Sequence, residues 1–467
     1  MGEAAAETGA PEIHPLGRRF SLSALLRFAF PTIFMMMFSG LYTIVDTVFV
    51  ARFVGTNALS AINIVTPVIN IIVGLGTMLS AGGSAVVARN MGSRRNREAG
   101  ENFSLIVLAG VITGAVITIM GLMFLEPVIR ALGASEVLLP YAKDYLAILF
   151  LFAPANMLQV LFANFFVTAG KPGLGMGLGL AAGLTNALLD FIFIVPLGMG
   201  IRGAALATGL GYLVPAAGGI LFFFHNRTGG LRFTRPRLRF RVLGESCFNG
   251  SSEMVSQLSA AVTTFLFNRA MMSLLGEDGV AAITIIIYSQ FLLTTFYIGF
   301  SMGVAPIFGY NYGSGSTAQI KRLLKICLGF IAAVSVIIFA LSELCGPFLA
   351  GMFAGNSMRV FTIARRGFVI FPFSFLFCGI NIFTSAFFTA LSNGKVSAAV
   401  SFLRTFVFLT AGILTLPIFL GVDGIWLAVP LAEAGTLVVS VFFLRKYGKP
   451  RGLMCDPDRD NRIIPSG

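Results

Sequence analysis

Apolar runs of about twenty or more residues follow one another along almost the whole chain, separated by short stretches where charged residues, glycine and proline collect. A run of that length crosses a hydrocarbon layer of roughly 30 Å as a helix. Twelve spans are predicted, with cores near 28–52, 58–88, 103–126, 138–168, 173–195, 203–224, 244–274, 279–308, 324–345, 360–390, 396–419 and 425–444. The pattern also repeats. "GTNALSAI" from Gly55 aligns with "GEDGVAAI" from Gly276, and "LSAGGSAVVARNMGS" from Leu79 with "FSMGVAPIFGYNYGS" from Phe300. At the same offset of 221 residues, "GIRGAALA" from Gly200 falls on "GVDGIWLA" from Gly421, and Pro196 on Pro417. The expected fold class is an all-α polytopic membrane protein whose twelve transmembrane helices form two six-helix lobes. Six spans per repeat give both halves one orientation, related by a pseudo-twofold axis along the membrane normal. A cleft between two such lobes suits a rocking transporter.

The expected segments are a polar tail over 1–27, a first lobe over 28–224, a basic linker over 225–242, a second lobe over 243–447 and a tail over 448–467. The first 27 residues carry no apolar stretch with a small-residue cleavage site, so no removable signal is read there. Composition agrees with the membrane reading: 56% of residues are hydrophobic and 11% charged. The net charge of +13 is explained by topology rather than by nucleic acid. Basic residues cluster before span one, after the even-numbered spans and in the linker, which by the positive-inside rule places both termini in the cytoplasm. Arg359, Arg365 and Arg366, between spans nine and ten, depart from that pattern. The cysteines Cys247, Cys327, Cys345, Cys378 and Cys455 are scattered, and both histidines lie outside the spans. An intramembrane enzyme would need a nucleophile–base pair or metal ligands there, so none is expected.

Polar groups inside the spans carry the candidate chemistry. In "GLTNALLDFIFIVPLG", Asn186 and Asp190 stand one helical turn apart and share a face. Asp46 in span one and Thr208 in span six lie at a similar depth, about 9 Å of helix from the outer end. A buried carboxylate costs about 2.5–3.5 kcal/mol on insertion scales unless it is paired, hydrated or protonated. Carboxylate, amide and hydroxyl oxygens also suit a small hard cation such as Na⁺. Interhelical hydrogen bonding is the structural alternative for Asn186 and Thr208. In the second lobe, Glu253 and Gln257 repeat the one-turn spacing, and Gln159 and Asn381 occupy roughly corresponding places in spans four and ten. These four form a candidate substrate or second cation site. Arg404 and Glu433 are expected to pair between spans eleven and twelve. Pro31 frees a carbonyl near the start of span one, giving a bend or a static kink. "GLGMGLG" from Gly173 is read as helix packing by Gly175, Gly179 and Gly183, not as a nucleotide loop.

"PTIFMMMFSGLYTIVDTVFVARFVGTNALSAINIVTPV" from Pro31, "SAGGSAVVARNMGSRRNREA" from Ser80, "NALLDFIFI" from Asn186, "NGSSEMVSQLSAAVTTFLFN" from Asn249 and "PIFGYNYGSG" from Pro306 together resemble the multidrug and toxic compound extrusion (MATE) transporters, within them the bacterial DinF-like and MepA-like branches. The resemblance implies a V-shaped, outward-open pair of six-helix bundles and cation-coupled export of organic cations and amphipathic drugs. It matches Asp46, Asn186, Asp190 and Thr208 to the N-lobe cluster that binds H⁺ or Na⁺, and Pro31 to the proline at which the first helix bends. Glu253 resembles the acidic residue in span seven of NorM-like members. Asn381 departs from them, since they carry an Asp there, and this favours coupling through the first lobe.

The expectation is an antiporter with no cofactor beyond its coupling ion, H⁺ or Na⁺. Its partners would be small organic cations, amphipathic drugs and membrane lipids, not nucleic acid. It would act as a monomer in the bacterial cytoplasmic (inner) membrane. The alternative is a flippase for lipids or lipid-linked precursors, which a laterally open, strongly basic cleft would favour.

Overall fold

A computed structural model describes residues 14–226, 231–353 and 357–447. The first thirteen residues, Arg227 of the linker, and the tail from 448 onward with Lys449 and Cys455 lie outside them. The spans are Leu22–Phe53, Thr56–Gly92, Asn96–Met123, a bent pair Leu139–Leu151 and Ala153–Thr168, Pro172–Ile194, Gly200–His225, Phe240–Leu275, Glu277–Gly313, Thr317–Phe353, Met358–Ala390, Gly394–Leu420 and Val422–Tyr447. With the bent pair taken as one span these are twelve, numbered one to twelve below. An even number leaves the start of span one and the end of span twelve on the same side, called here the terminal side; the opposite one is the far side.

Span four is not the single rod its apolar run suggests. It breaks by 57° between its two helices. Pro154 has no N–H to donate to the carbonyl of Phe150 four residues earlier, and its ring crowds that turn. The orphaned carbonyl is taken by the Thr118 hydroxyl of span three at 2.5 Å. Phe152, at the break, lodges where a Cβ on Gly209 of span six would collide with its ring.

The lobes meet along the terminal halves of spans one, two, seven and eight, and the repeat is visible in how they meet. A Cβ on Gly92 would run into the carbonyl oxygen of Tyr310, and one on Gly313 into that of Arg89. Both pairs, Arg89 with Tyr310 and Gly92 with Gly313, are separated by the repeat offset, so the two helices cross on the pseudo-twofold axis. The flanking crossings are related in the same way. A Cβ on Gly82 would strike the carbonyl of Ser246, and one on Gly250 that of Met78; at the equivalent positions Gly303 lies against Ala29 and Thr32. Only glycine allows backbones to approach so closely. An ion pair, Arg89 to Glu245 at 2.8 Å, and a hydrogen bond from the Ser93 hydroxyl to the Gly313 carbonyl at 2.9 Å also span this seam.

Consequently the first span of each repeat is shared between lobes. Leu25, Ala29 and Ile33 of span one are buried in the core of the second lobe, whereas Val50, near its far end, is buried in the core of the first. Cys247 of span seven packs reciprocally on a first-lobe cluster. Beyond mid-helix, Leu41, Val45 and Val48 of span one and Phe265 of span seven are exposed. Span one is one continuous helix through Pro31, which is half-buried.

The basic linker does not hang free. The Thr234 N–H donates to the Ser104 hydroxyl, Phe233 packs on Phe103, and buried Glu101 is faced by Arg97, Arg237 and Arg239 at 3.1–3.5 Å. On the far side the local departure from the positive-inside pattern has a simple cause. Arg359 pairs with Asp278, and Arg366 forks onto both oxygens of Asp423, so two of the three cations are neutralised in place.

Candidate cation site

In the far half of the first lobe, spans one, four, five and six converge. Asp46 of span one and Asp190 of span five bring their carboxyl groups within hydrogen-bonding reach of each other. Asp190 and Asn186 are 4% exposed, one turn apart on the same face. Span five reaches span one closely because it carries glycine where it needs room. A Cβ on Gly179 would press on Met35, and one on Gly183 on the ring of Phe38; Gly175 does the same service against Phe166. The packing role read from "GLGMGLG" is therefore what these residues perform.

The Asn186 amide donates to the Thr208 hydroxyl at 3.4 Å, and that hydroxyl donates to the Ala204 carbonyl at 3.0 Å. The Thr208 proton and one of the two Asn186 amide N–H groups are thus spent on protein, and the Asn186 oxygen stays available. One oxygen of Asp46 and one of Asp190 are buried without a protein hydrogen-bond partner. A set of carboxylate, amide and hydroxyl oxygens with orphaned acceptors fits a hard cation or a proton. It does not fit an apolar packing role, since an unpaired buried acceptor costs about 1–3 kcal/mol.

Around the acids stand residues that sequence reasoning passed over. Tyr42, one turn before Asp46 in span one, and Tyr145 of span four lie close enough to feel both carboxylates. Tyr212 of span six stands beside Asn156 of span four. Asn156 is 5% exposed, with its side-chain oxygen unpartnered. Beside them is a cavity of about 10 Å³ lined by Ile69, Ile72, Leu149, Ala153, Asn156 and Tyr212, room for about one water. The available signal was the polar i, i+4 partner at Tyr42. For Tyr145 and Asn156 there was none, because the break in span four decides where they point.

Of the second-lobe candidates, Asn381 is held by other partners. Asn381 donates to the backbone carbonyl of Glu433 at 2.9 Å and to its carboxylate at 2.8 Å, and accepts from the Ser440 hydroxyl at 2.9 Å. Its hydrogen-bonding capacity is spent there and not on Glu253. The expected ion pair is present, with Arg404 on Glu433 at 2.6 and 2.8 Å; a π-helical stretch, Leu403–Leu409, carries the arginine. Gln257 packs its Cβ against Gly74 of span two across the seam. Glu253 and Gln159 are half-buried in spans seven and four. Arg404→Met, which strands the Glu433 carboxylate, is expected to destabilise the protein by about 3–5 kcal/mol. Thermal unfolding in detergent would show it, and adding Glu433→Gln should recover much of the loss.

The MatE family model matches residues 31–201 and 254–412. The chain belongs to the MatE family. This MatE chain is 24% identical over 409 residues to the multidrug export protein MepA of Staphylococcus saprophyticus, covering 86% of the chain and 87% of that protein. To MepA of Staphylococcus aureus it is 23% identical over 429 residues, covering 88% and 90%. A solved structure described as the outward-facing conformation of a multidrug resistance MATE family transporter of the MOP superfamily superposes with a TM-score of 0.88 at 22% identity, covering 95% of this chain and 99% of that one. A MATE structure in a bent conformation gives 0.85. The two-lobed MatE fold is thus shared over nearly the whole chain.

Proposed function

We propose that this MatE protein is a secondary exporter of organic cations and amphipathic drugs, coupled to inward movement of H⁺ or Na⁺. It would act as a monomer in a bacterial cytoplasmic membrane with both termini in the cytoplasm. The observation that carries the reading is the Asp46–Asp190 contact, with a buried unpartnered oxygen on each carboxylate. The similarity to proteins named as multidrug exporters supports the substrate class.

Coupling requires that the ion favour one of two lobe arrangements over the other. Span one supplies the connection. Its far half holds Asp46, and its terminal half, at Ala29, Thr32 and Ile33, lies in the crossing with Gly299 and Gly303 of span eight. Two facing carboxylates repel, and a cation or proton between them removes that repulsion, drawing span one toward span five. Pro31 sits within that terminal half, between Ala29 and Thr32 of the crossing, with no N–H to hold the preceding turn. Ion binding at one end therefore alters the angle at which span one meets the other lobe.

The test is efflux of a fluorescent lipophilic cation from proteoliposomes under separately imposed H⁺ and Na⁺ gradients. One gradient should drive efflux and the other should not. If neither does while labelled lipid crosses the bilayer, the protein is a flippase and the reading fails.

A further inference from the structure

On the terminal side, residues before span one form a strap that the transport reading leaves unused. Leu16 is fully buried in the second-lobe core, and its carbonyl accepts from the Asn311 amide at 3.2 Å. His14 stacks on Tyr310 with ring centroids 5.2 Å apart, and the Arg18 carbonyl accepts from the Gln319 amide at 2.6 Å. Between this strap and the start of span nine lies a cavity of about 250 Å³. Arg19, Ser316, Gln319 and Arg322 form its polar wall, and Phe20 and Leu323 its apolar wall.

The chemistry of that wall is one-sided. Residues 14–45 carry Arg18, Arg19 and Arg27 and no acid; residues 279–342 carry Lys321, Arg322 and Lys325 and no acid. Among the described residues neither Arg19 nor Arg322 forms an ion pair. Topology alone places basic residues here, but it does not build a cavity between two of them. Ala318, also in the lining, stands in the first turn of span nine, where helix N–H groups lack intrahelical acceptors and the dipole favours negative charge. Two guanidinium groups, a hydroxyl and a helix start, beside buried phenylalanine and leucine, match a phosphate with an apolar body attached.

We propose that this pocket is a phosphate-binding site at the membrane interface, placed to take the headgroup of an anionic phospholipid. Its occupant bridges Arg19 of the strap and Arg322 of span nine. It thereby holds the strap over Tyr310, at the crossing where the lobes meet.

The full-length protein in detergent is titrated with short-chain phosphatidylglycerol, with phosphatidylcholine of the same chain length, and with inorganic phosphate. Bound lipid is read by native mass spectrometry and stability by thermal shift. Phosphatidylglycerol should be retained at least about tenfold more tightly than phosphatidylcholine. Arg19→Gln/Arg322→Gln should abolish that preference, Arg19→Lys/Arg322→Lys should keep most of it, and Arg52→Gln, on the far side, should leave it unchanged. An arginine-dependent thermal shift with inorganic phosphate, without lipid preference, supports phosphate binding and assigns the pocket to a soluble ion. Equal preference for phosphatidylglycerol in the folded Gln variant and the unchanged protein, with no arginine-dependent response to phosphate, overturns the proposal.

Discussion

Asp190→Asn and Asp46→Asn are each expected to cost roughly 5–150-fold in gradient-driven efflux, the range that a coupling free energy of about 1–3 kcal/mol spans. The amide is nearly isosteric with the carboxyl, so packing against Asn186 and Tyr42 survives while the charge that attracts the ion is lost. Binding of the organic cation should persist in both variants, as expected of acids that hold the coupling ion and not the substrate. The measurement is efflux in proteoliposomes beside equilibrium binding of the same fluorescent cation. Full coupled efflux in both variants would remove the carboxylate pair from the mechanism. Loss of binding together with efflux would make it a substrate site instead. Asp46→Glu is a useful companion. It keeps the charge but lengthens the arm into a site bounded by Asp190, so partial activity is expected.

The second large effect is expected at the pseudo-twofold crossing. Gly92→Ala places a methyl group on the carbonyl of Tyr310, and Gly313→Ala on that of Arg89. Neither obstacle is the yielding end of a side chain, so the crossing helices must separate. Overpacking of this kind costs about 1–3 kcal/mol. Spent wholly on the arrangement closed at the terminal side, it moves the equilibrium between the two arrangements by roughly 5–150-fold. Cys247 is a natural reporter: it is half-buried in span seven, two residues past Glu245 of the interlobe ion pair. With the other cysteines replaced, its alkylation from the terminal side should accelerate in both variants while efflux falls. Unchanged alkylation with unchanged efflux would mean that this seam does not open during transport. The two positions should behave alike, since the repeat makes them equivalent.

These two predictions draw on different kinds of knowledge. Asp46, Asn186, Asp190 and Thr208 stand out in a sequence because a polar group in an apolar run needs a reason, and residue counting puts Asp46, Asp190 and Thr208 at one depth. Glycine at 92 and 313 is visible only as glycine. Its role depends on which carbonyl of which other helix lies opposite, and that is settled by a contact between segments more than two hundred residues apart. Tyr145 and Asn156 were illegible for a related reason. A helix drawn straight through residues 138–168 misplaces them; with the 57° break, Tyr145 stands near the acids and Asn156 beside Tyr212. Asn381 shows the reverse case. Its sequence position suggested a second-lobe site beside Glu253, but a buried amide takes whichever partners are nearest, and Glu433 and Ser440 are nearer.

By itself the sequence determined the class of the protein, the spans, the repeat and the acidic pair worth testing. The physical reasons are that hydrocarbon tolerates no unpaired backbone, so long apolar runs must be helices, and that a carboxylate inside one is costly. Only the tertiary structure decided that the first span of each repeat lends its terminal half to the opposite lobe, that glycine lets the lobes meet backbone to backbone, and that the strap before span one lies over their junction. Those are matters of close packing between distant segments, and packing is set by shape at ångström scale rather than by the apolar pattern along the chain.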